Sequence, residues 1–170
     1  MRRYEIVGLF ARRLDAKAGR VQACLSKLTD AGVISGGGDS KRYPGDLSEP
    51  EIVALFLALL GESGISSAAT VATELSALCD HNSRRIDDVL HHLLFGPPRN
   101  VSHLIVRQSP PGVSMVIDGE HLVFGAESDT GATAARIVPG STLAAIAAEL
   151  QGARPDQADA AAAIQKIRIY

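Results

Sequence analysis

Nine side chains between residues 12 and 42 have the chemistry to contact phosphate oxygens or the edges of nucleic-acid bases. Arginine and lysine neutralise phosphates, whereas glutamine and serine make the directional hydrogen bonds that distinguish one base edge from another. The nine candidates are Arg12, Arg13, Lys17, Arg20, Gln22, Ser26, Lys27, Lys41 and Arg42. They make a useful site only if the fold brings them to one surface.

The charge of the chain is unevenly distributed. Seventeen basic and nineteen acidic residues in 170 give a net charge of −2, which excludes a protein that coats polyanions with its whole surface. Residues 1–46 contain nine basic and five acidic residues (+4), residues 47–100 three and seven (−4), and the remainder five and seven (−2). The positive N-terminal segment therefore predicts an anionic partner for that end.

Two amphipathic helices must position most of the candidates. Apolar residues at helical spacing predict one helix over Tyr4–Leu14 and a second over Arg20–Asp30, joined by the short DAKAG connection. Gly32 is placed to end the second helix in the left-handed conformation. The two helices are therefore consecutive and close together.

The residues of this helical pair resemble the helix-turn-helix motif of DNA-binding proteins. Ala11 is the small residue that lets the two helices cross closely, and Phe10, Leu14, Val21 and Leu25 occupy the positions that fill the wedge between them. The resemblance implies that a helix at about residues 18–29 enters the major groove.

The turn and the segment after the second helix extend this resemblance to about residues 4–45. The family usually has glycine where this chain has Asp15, a residue that tolerates left-handed geometry better than most. The sequence LTDAGVI, followed by a glycine-rich loop that ends in Lys41-Arg42-Tyr43, resembles the winged form of the motif. A winged helix-turn-helix of bacterial and phage type is therefore the expected N-terminal fold.

The resemblance assigns roles to individual residues. With Val21, Cys24, Leu25 and Leu28 facing inward, the side chains directed outward would be Lys17, Ala18, Gly19, Gln22, Ala23 and Ser26. Gln22 would pair with an adenine edge, and Lys17 or Arg20 with guanine or phosphate. The expected phosphate contacts are Arg12, Arg13, Lys27, Lys41 and Arg42.

The rest of the chain predicts further helices and then a small sheet. The expected helices are 48–60 (opened by the Ser48–Glu51 capping box), 67–79, 83–94, 142–150 (capped by Ser141) and 157–166, and the expected strands are 101–106, 113–117, 120–124 and 134–138. Asp118-Gly119 predicts a tight hairpin turn. The predicted fold class is mainly α with an α+β C-terminal part. Its regions are 1–46 (winged helix-turn-helix), 47–97 (helical core or dimerisation region) and 98–170, with the clearest break near Pro97-Pro98.

The apolar segment EIVALFLALL, residues 51–60, must be covered on every side. It is expected either to be the central helix of the N-terminal part or to form a subunit interface. The sequence leaves both possibilities open.

Other kinds of site find little support in the sequence. His91 and His92 are adjacent on a predicted helix and therefore point about 100° apart, which makes a shared metal ion improbable; one is expected to be partly buried and the other exposed. Cys24 and Cys79 are expected to be free, buried thiols in helices. No catalytic motif, cofactor or membrane segment is predicted, and the expected location is the cytoplasm.

These observations predict a homodimeric, sequence-specific transcriptional regulator that binds double-stranded DNA, most simply a repressor, with a possible protein or small-molecule effector on the C-terminal region. A second hypothesis is the small DNA-recognition subunit of a phage packaging terminase. A third is a protein-interaction adaptor that uses its winged helix to bind protein.

Overall fold

A computed structural model describes residues 1–36, 45–126 and 133–169 of the chain. The chain forms two compact units, Met1–Ser76 and Ala77–Tyr170. The described helices of the first unit are α1 (Arg3–Arg13), α2 (Ala18–Asp30), α3 (Glu49–Gly61), a 3-10 helix (Ile65–Ser67) and α4 (Ala68–Ser76). The described elements of the second unit are α5 (Ile86–Phe95), β1 (Val101–Gln108), β2 (Pro111–Ile117), β3 (Glu120–Phe124), β4 (Ala135–Pro139), α6 (Gly140–Leu150) and α7 (Pro155–Ile169). The fold is mixed α and β.

Helix α3 is the central element of the first unit. It begins at the predicted capping box, in which Glu51 accepts hydrogen bonds from the backbone N–H and the hydroxyl of Ser48. From Leu55 to Gly61 every residue is buried, and α3 packs against α2 and α4. The sequence allowed α3 to be either the central helix or a subunit interface. Because its side chains are covered by other parts of the same chain, α3 is the central helix.

The contact between α3 and α4 depends on a glycine. A Cβ atom built on Gly61 would lie 2.5 Å from Leu75 Cδ1 and 2.5 Å from Val71 Cγ1, two side chains of α4. Real Cβ atoms do not approach other carbon atoms this closely, so the absence of a side chain at Gly61 sets the spacing of the two helices.

The second unit contains a four-stranded antiparallel sheet in the order β3-β2-β1-β4. The two-residue connection between β2 and β3 is the predicted Asp118-Gly119 turn, with φ of 49° and 87°. Positive φ at both positions is typical of the type I′ turn, whose twist matches that of the strands it joins. The hairpin prediction is confirmed.

Helices cover one face of this sheet. Alternate residues of the four strands point to that face and are buried: Leu104, Val106, Val113, Met115, Ile117, Leu122, Phe124 and Val138. Helix α6 contacts β1 and β4, while α5 and α7 pack against α6. Since α5 packs on α6, the compact units divide after Ser76, whereas the sequence placed its clearest break near Pro97-Pro98.

Two predicted helices are shorter than expected because the segment between them forms a tight loop. The buried carboxylate of Asp80 accepts hydrogen bonds from the backbone N–H groups of Asn82 and Arg84, at 2.8 and 2.9 Å. Ser83 takes a positive φ of 61°, which is incompatible with a helical start there, so α5 begins at Ile86.

Two further local predictions need correction. Cys79 was expected to be buried in a helix, but α4 ends at Ser76 and Cys79 is exposed, in a β-bridge with Arg85. Ser141 was expected to cap α6. Instead, β4 runs directly into the helix, Pro139 takes the N-cap position, and Ser141 is buried within the first turn.

The Gly61 contact gives a matched pair of predictions. Gly61→Ala should destabilise the first unit by about 1–3 kcal/mol, because Val71 and Leu75 must both move to admit a methyl group. Gly8→Ala in α1 should stabilise the protein by up to about 1 kcal/mol, because its Cβ meets no atom within 4 Å and alanine is the better helix former. Urea denaturation followed by circular dichroism measures both, and equal effects of the two variants would contradict the close contact.

Candidate nucleic-acid interface

Helices α1 and α2 are joined by a four-residue connection with a left-handed residue in it. Asp15, at the position where the resembled family usually has glycine, has φ of 50°, a conformation that aspartate tolerates better than most residues. The turn is closed by hydrogen bonds from Leu14 N to the Phe10 carbonyl and from Ala16 N to the Ala11 carbonyl, both 2.9 Å. Aspartate therefore supplies the reversal between the helices without a glycine.

The predicted wedge between the helices is buried. Phe10, Val21 and Leu25 have at most 1% of their surface exposed, and Leu14 is half-buried. The Phe10 ring also stacks on Phe56 of α3, with centroids 5.6 Å apart. The pair of helices is thus anchored to the central helix through its inner side.

The outer side of α2 carries small and polar residues. Gly19, Gln22, Ala23 and Ser26 recur at the spacing of one helix face, opposite the buried Cys24, and all except the half-buried Ala23 are exposed. We call these four residues the α2 outer face. Side chains this short would allow the helix backbone to come close to a ligand.

The start of α2 differs from the starts of α1 and α3. Its N-cap residue is the exposed Lys17, no side-chain capping hydrogen bond is found there in the described chain, and its first turn has no acidic residue. In α1 and α3 a glutamate, Glu5 or Glu51, accepts a hydrogen bond from the N-cap backbone N–H. The backbone N–H groups, the positive dipole end of α2 and the side chain of Lys17 all contribute positive charge at this end of the helix.

Arg20 is directed away from the α2 outer face. Its Nε donates a 2.7 Å hydrogen bond to Glu62 Oε1, and the Glu62 side chain is completely buried at the C-terminal end of α3. The Arg20 side chain is 44% exposed, so the pair is only half-buried, but removing Arg20 would leave the buried carboxylate of Glu62 without this charged donor, at a cost of about 1–3 kcal/mol. Arg20 therefore connects α2 to α3. A lower ligand affinity of Arg20→Ala would reflect the loss of this structural contact as well as any loss of binding.

The same carboxylate influences the neighbouring thiol. Burial, and then the negative charge of Glu62, raise the pKa of Cys24 to about 12, with the positive charge of Arg20 opposing them. Cys24 is therefore a neutral packing residue at neutral pH, which agrees with its expected burial.

Glu51 connects the segment after α2 to the start of α3. One of its oxygens accepts hydrogen bonds from the N–H and hydroxyl of Ser35, both 2.6 Å, and the other accepts from Ser48. Burial alone would raise the pKa of Glu51, but these hydrogen bonds outweigh it and lower the pKa to about 2. A single carboxylate thus holds both ends of the segment that the sequence assigned to the wing.

The other predicted contact residues have different positions. Lys27 and Arg12 are exposed, Arg13 is half-buried, and both arginines take part in interactions within the chain. Lys41 and Arg42, and most of the expected wing, lie outside the described residues. Gln22 and Ser26 lie on the exposed outer side of α2, Lys17 is the exposed N-cap residue of the same helix, and Arg20 is held against Glu62.

Two residues that support the candidate interface, Glu62 and Ser35, were not predicted from the sequence. Glu62 follows Gly61 in what reads as a polar loop, so nothing local signals that its carboxylate is buried. Ser35 begins a glycine-rich stretch, and its contact with Glu51 crosses 16 residues. Only the capping box of Glu51 gave any sequence signal in this region.

The histidines, the acidic residues and the second unit are the other places in the described chain where a site could form. His91 is half-buried and His92 exposed, as predicted. Residues 1–36, 45–126 and 133–169 contain no cluster of three His, Cys, Asp or Glu side chains suited to a metal ion. Among the helices described, none has both the length and the apolar character needed to cross a bilayer. The second unit has a largely apolar cavity of about 250 Å³ between α6, α7 and the start of β1.

Comparison of the chain with models of protein families, with curated proteins and with solved structures gives no match.

The Glu51 geometry predicts a pH-dependent contribution to stability. Because its pKa is lowered on folding, the contribution is complete above about pH 4.5 and is lost as the pH falls towards 2. Glu51→Gln should lower the unfolding free energy by about 1–2 kcal/mol at pH 7, and the difference from wild type should shrink below pH 4.5. Glu74→Gln, at an exposed carboxylate of α4, is the control and should have little effect in urea denaturation at either pH. A Glu51→Gln deficit that is constant with pH would contradict the assignment.

The two thiols should react very differently. In the native protein a chromogenic disulfide reagent should titrate one thiol rapidly, Cys79, because Cys24 is buried and protonated. Cys79→Ser should abolish the rapid phase, and both wild-type thiols should react in denaturant. A rapid phase that survives in Cys79→Ser would show that Cys24 is accessible.

Proposed function

We propose that this protein is a sequence-specific regulator that binds double-stranded DNA and reads the major groove with the α2 outer face. The supporting observation is the exposed start of α2. Its N-cap residue is Lys17, its first turn has no acidic residue, and short and polar side chains follow on the exposed side of the helix. A duplex phosphate is the complementary ligand for a helix N-terminus that lacks an acidic residue. Glycine and alanine on the same face would let the backbone approach the bases.

Roles within the proposed interface follow from the chemistry of each side chain. Gln22 has the paired donor and acceptor that match an adenine edge, and Ser26 can contact either a base or a phosphate. Lys17 and Lys27 would neutralise phosphates and supply affinity that does not depend on sequence. Arg20 acts as a positioning residue, since its ion pair with Glu62 orients the first turn of α2.

The regulator is proposed to act as a homodimer, because two half-sites multiply affinity and match a two-fold operator. Repression requires only occupancy of a promoter and is the simplest outcome of such binding. The cavity of the second unit is a candidate position for a small effector.

The proposal is tested by selecting duplexes from a random pool with the wild-type protein and measuring Kd for a selected and an unselected duplex across a salt series. Lys17→Ala should weaken binding to both duplexes about equally and lower the slope of log K against log salt by about 1. Gln22→Ala should reduce the preference for the selected duplex by about 1–3 kcal/mol. Arg154→Ala removes one exposed positive charge from the second unit and is the matched control.

Each outcome of this experiment has a defined meaning. Failure of the wild type to retain any duplex at low salt would overturn DNA binding and favour the protein-interaction adaptor. Retention that is unaffected by Lys17→Ala and Gln22→Ala would overturn the assignment of α2. A ring of many subunits, measured as mass in solution, would favour a packaging terminase subunit over a dimeric regulator.

A further inference from the structure

The described side chains of α7 pack on the second unit along one side of the helix. Ala158 and Gln165 are buried on that side, where α7 packs against α6 and β1. The Gln165 amide donates hydrogen bonds to Asn100 Oδ1 and to the Val101 carbonyl, at 3.0 and 2.9 Å. This buried amide fixes the rotation of α7 about its axis and therefore determines which residues face outward.

Away from Ala158 and Gln165, α7 carries an exposed apolar stripe, of which Ile164 also lines the edge of the cavity between α6, α7 and β1. Ala160, Ala163, Ile164 and Ile167 follow the i, i+3, i+4, i+7 spacing of one helix face, and we call them the α7 stripe. Ile164 is 53% exposed and Ile167 77% exposed. Large apolar side chains with this much exposure are rare in the described chain, where the others are Tyr4 and Ile137, on separate elements. Two of them on adjacent turns indicate a face with a partner.

The order of sizes along the stripe suits an antiparallel pairing with itself. In two copies related by a two-fold axis near its midpoint, Ala160 of each copy lies opposite Ile167 of the other, and Ala163 lies opposite Ile164. Every large side chain then meets a small one. A parallel pairing would place isoleucine against isoleucine and alanine against alanine, which packs less evenly.

The charges beside the stripe favour the same arrangement. Asp159 and Lys166 each precede a stripe residue, Ala160 or Ile167, so both lie on the same flank of the helix. A two-fold axis perpendicular to an antiparallel pair brings equivalent flanks together, with the N-terminal half of one helix beside the C-terminal half of the other. Asp159 of each copy therefore lies near Lys166 of the other, which gives two opposite-charge contacts.

We propose that two copies of this chain associate through their α7 stripes, packed antiparallel around a two-fold axis. The occupant of the stripe is a second copy of the same chain, because the size order and the charges of α7 are complementary to themselves. A 15-residue helix is about 22 Å long, so this contact alone is small for a stable interface. The expected dimer is accordingly of micromolar affinity. This interface is inferred from α7 alone. It rests on the proposed function only in that it would form the proposed homodimer.

Mass in solution without DNA tests the surface directly. Sedimentation of the wild-type chain over a range of concentrations should give a monomer–dimer equilibrium. The double variant Ile164→Glu/Ile167→Glu should be monomeric at concentrations at least tenfold above the wild-type dissociation constant, because four charged glutamates would replace the isoleucines that pack on alanines across the axis. Thr70→Glu/Thr73→Glu places two glutamates three residues apart on exposed positions of α4 and should leave the dimer unchanged.

Charge reversal tests the orientation. Asp159→Lys and Lys166→Asp should each weaken the dimer by about threefold to tenfold, and the double reversal should restore it. A parallel pairing, or an interface elsewhere, would leave the dissociation constant the same in all three. Circular dichroism and thermal melting establish that each variant is folded.

The outcomes separate this proposal from the proposed function. A wild-type chain that is still monomeric at ~100 µM would overturn the α7 interface. A dimer that persists in the folded Ile164→Glu/Ile167→Glu variant would overturn it as well, whatever the protein binds. A dimer that the stripe variant abolishes, in a protein that retains no duplex, would leave the interface standing and overturn DNA binding.

Discussion

The need to cover α3 on every side is the constraint on which the first unit depends. A helix with almost no polar face cannot remain at a surface, so α2 and α4 must pack around it. Helix α2 uses its larger apolar residues, Val21, Cys24, Leu25 and Leu28, for this purpose, which leaves the small and polar residues of its other side in solvent. The candidate interface is therefore a consequence of core packing: the same rotation of α2 that buries Cys24 exposes Gln22.

Carboxylates at the two ends of α3 fix the segments that flank this core. Glu51, at the N-terminal end, ties the residues after α2 to the helix start, and Glu62, at the C-terminal end, ties the first turn of α2 through Arg20. Both contacts connect the predicted reading helix and its following loop to the rigid centre. An interface supported in this way would keep its shape before a ligand arrives, which lowers the entropic cost of binding.

The second unit is packed in layers, with α7 as the outer one. Its sheet buries one face under α6, and α7 then lies on α6 as an outer layer. An outer helix needs only one apolar side, so the alanines facing α6 would be sufficient for folding. Ile164 borders the cavity beside α6, but its 53% exposure and the 77% exposure of Ile167 are more than the fold of a single chain requires, which is the physical reason to assign them to an association between chains.

Much of the local structure was predictable because its causes lie within a few residues of each other. The helices α1, α2 and α3, the capping box at Ser48 and the hairpin at Asp118-Gly119 all follow from periodicity, capping or turn chemistry. The left-handed Asp15 belongs to the same group. The predicted helix boundaries were wrong where other contacts replaced the local pattern. At α5, the hydrogen bonds of Asp80 and the positive φ of Ser83 form a loop, so the helix begins later than predicted.

By itself, the sequence determined which residues of α2 face inward, because a helix of known period has only one apolar side. Only the tertiary structure decided what the polar residues do. Arg20 reads as a DNA contact until its partner, 42 residues away, is seen to be a buried carboxylate. The exposure of Ile164 and Ile167 likewise depends on the rotation of α7 on α6, and the hydrogen bonds of Gln165 to Asn100 and Val101 fix that rotation. Sequence periodicity predicts which residues share a face of a helix, but long-range contacts determine which face is buried.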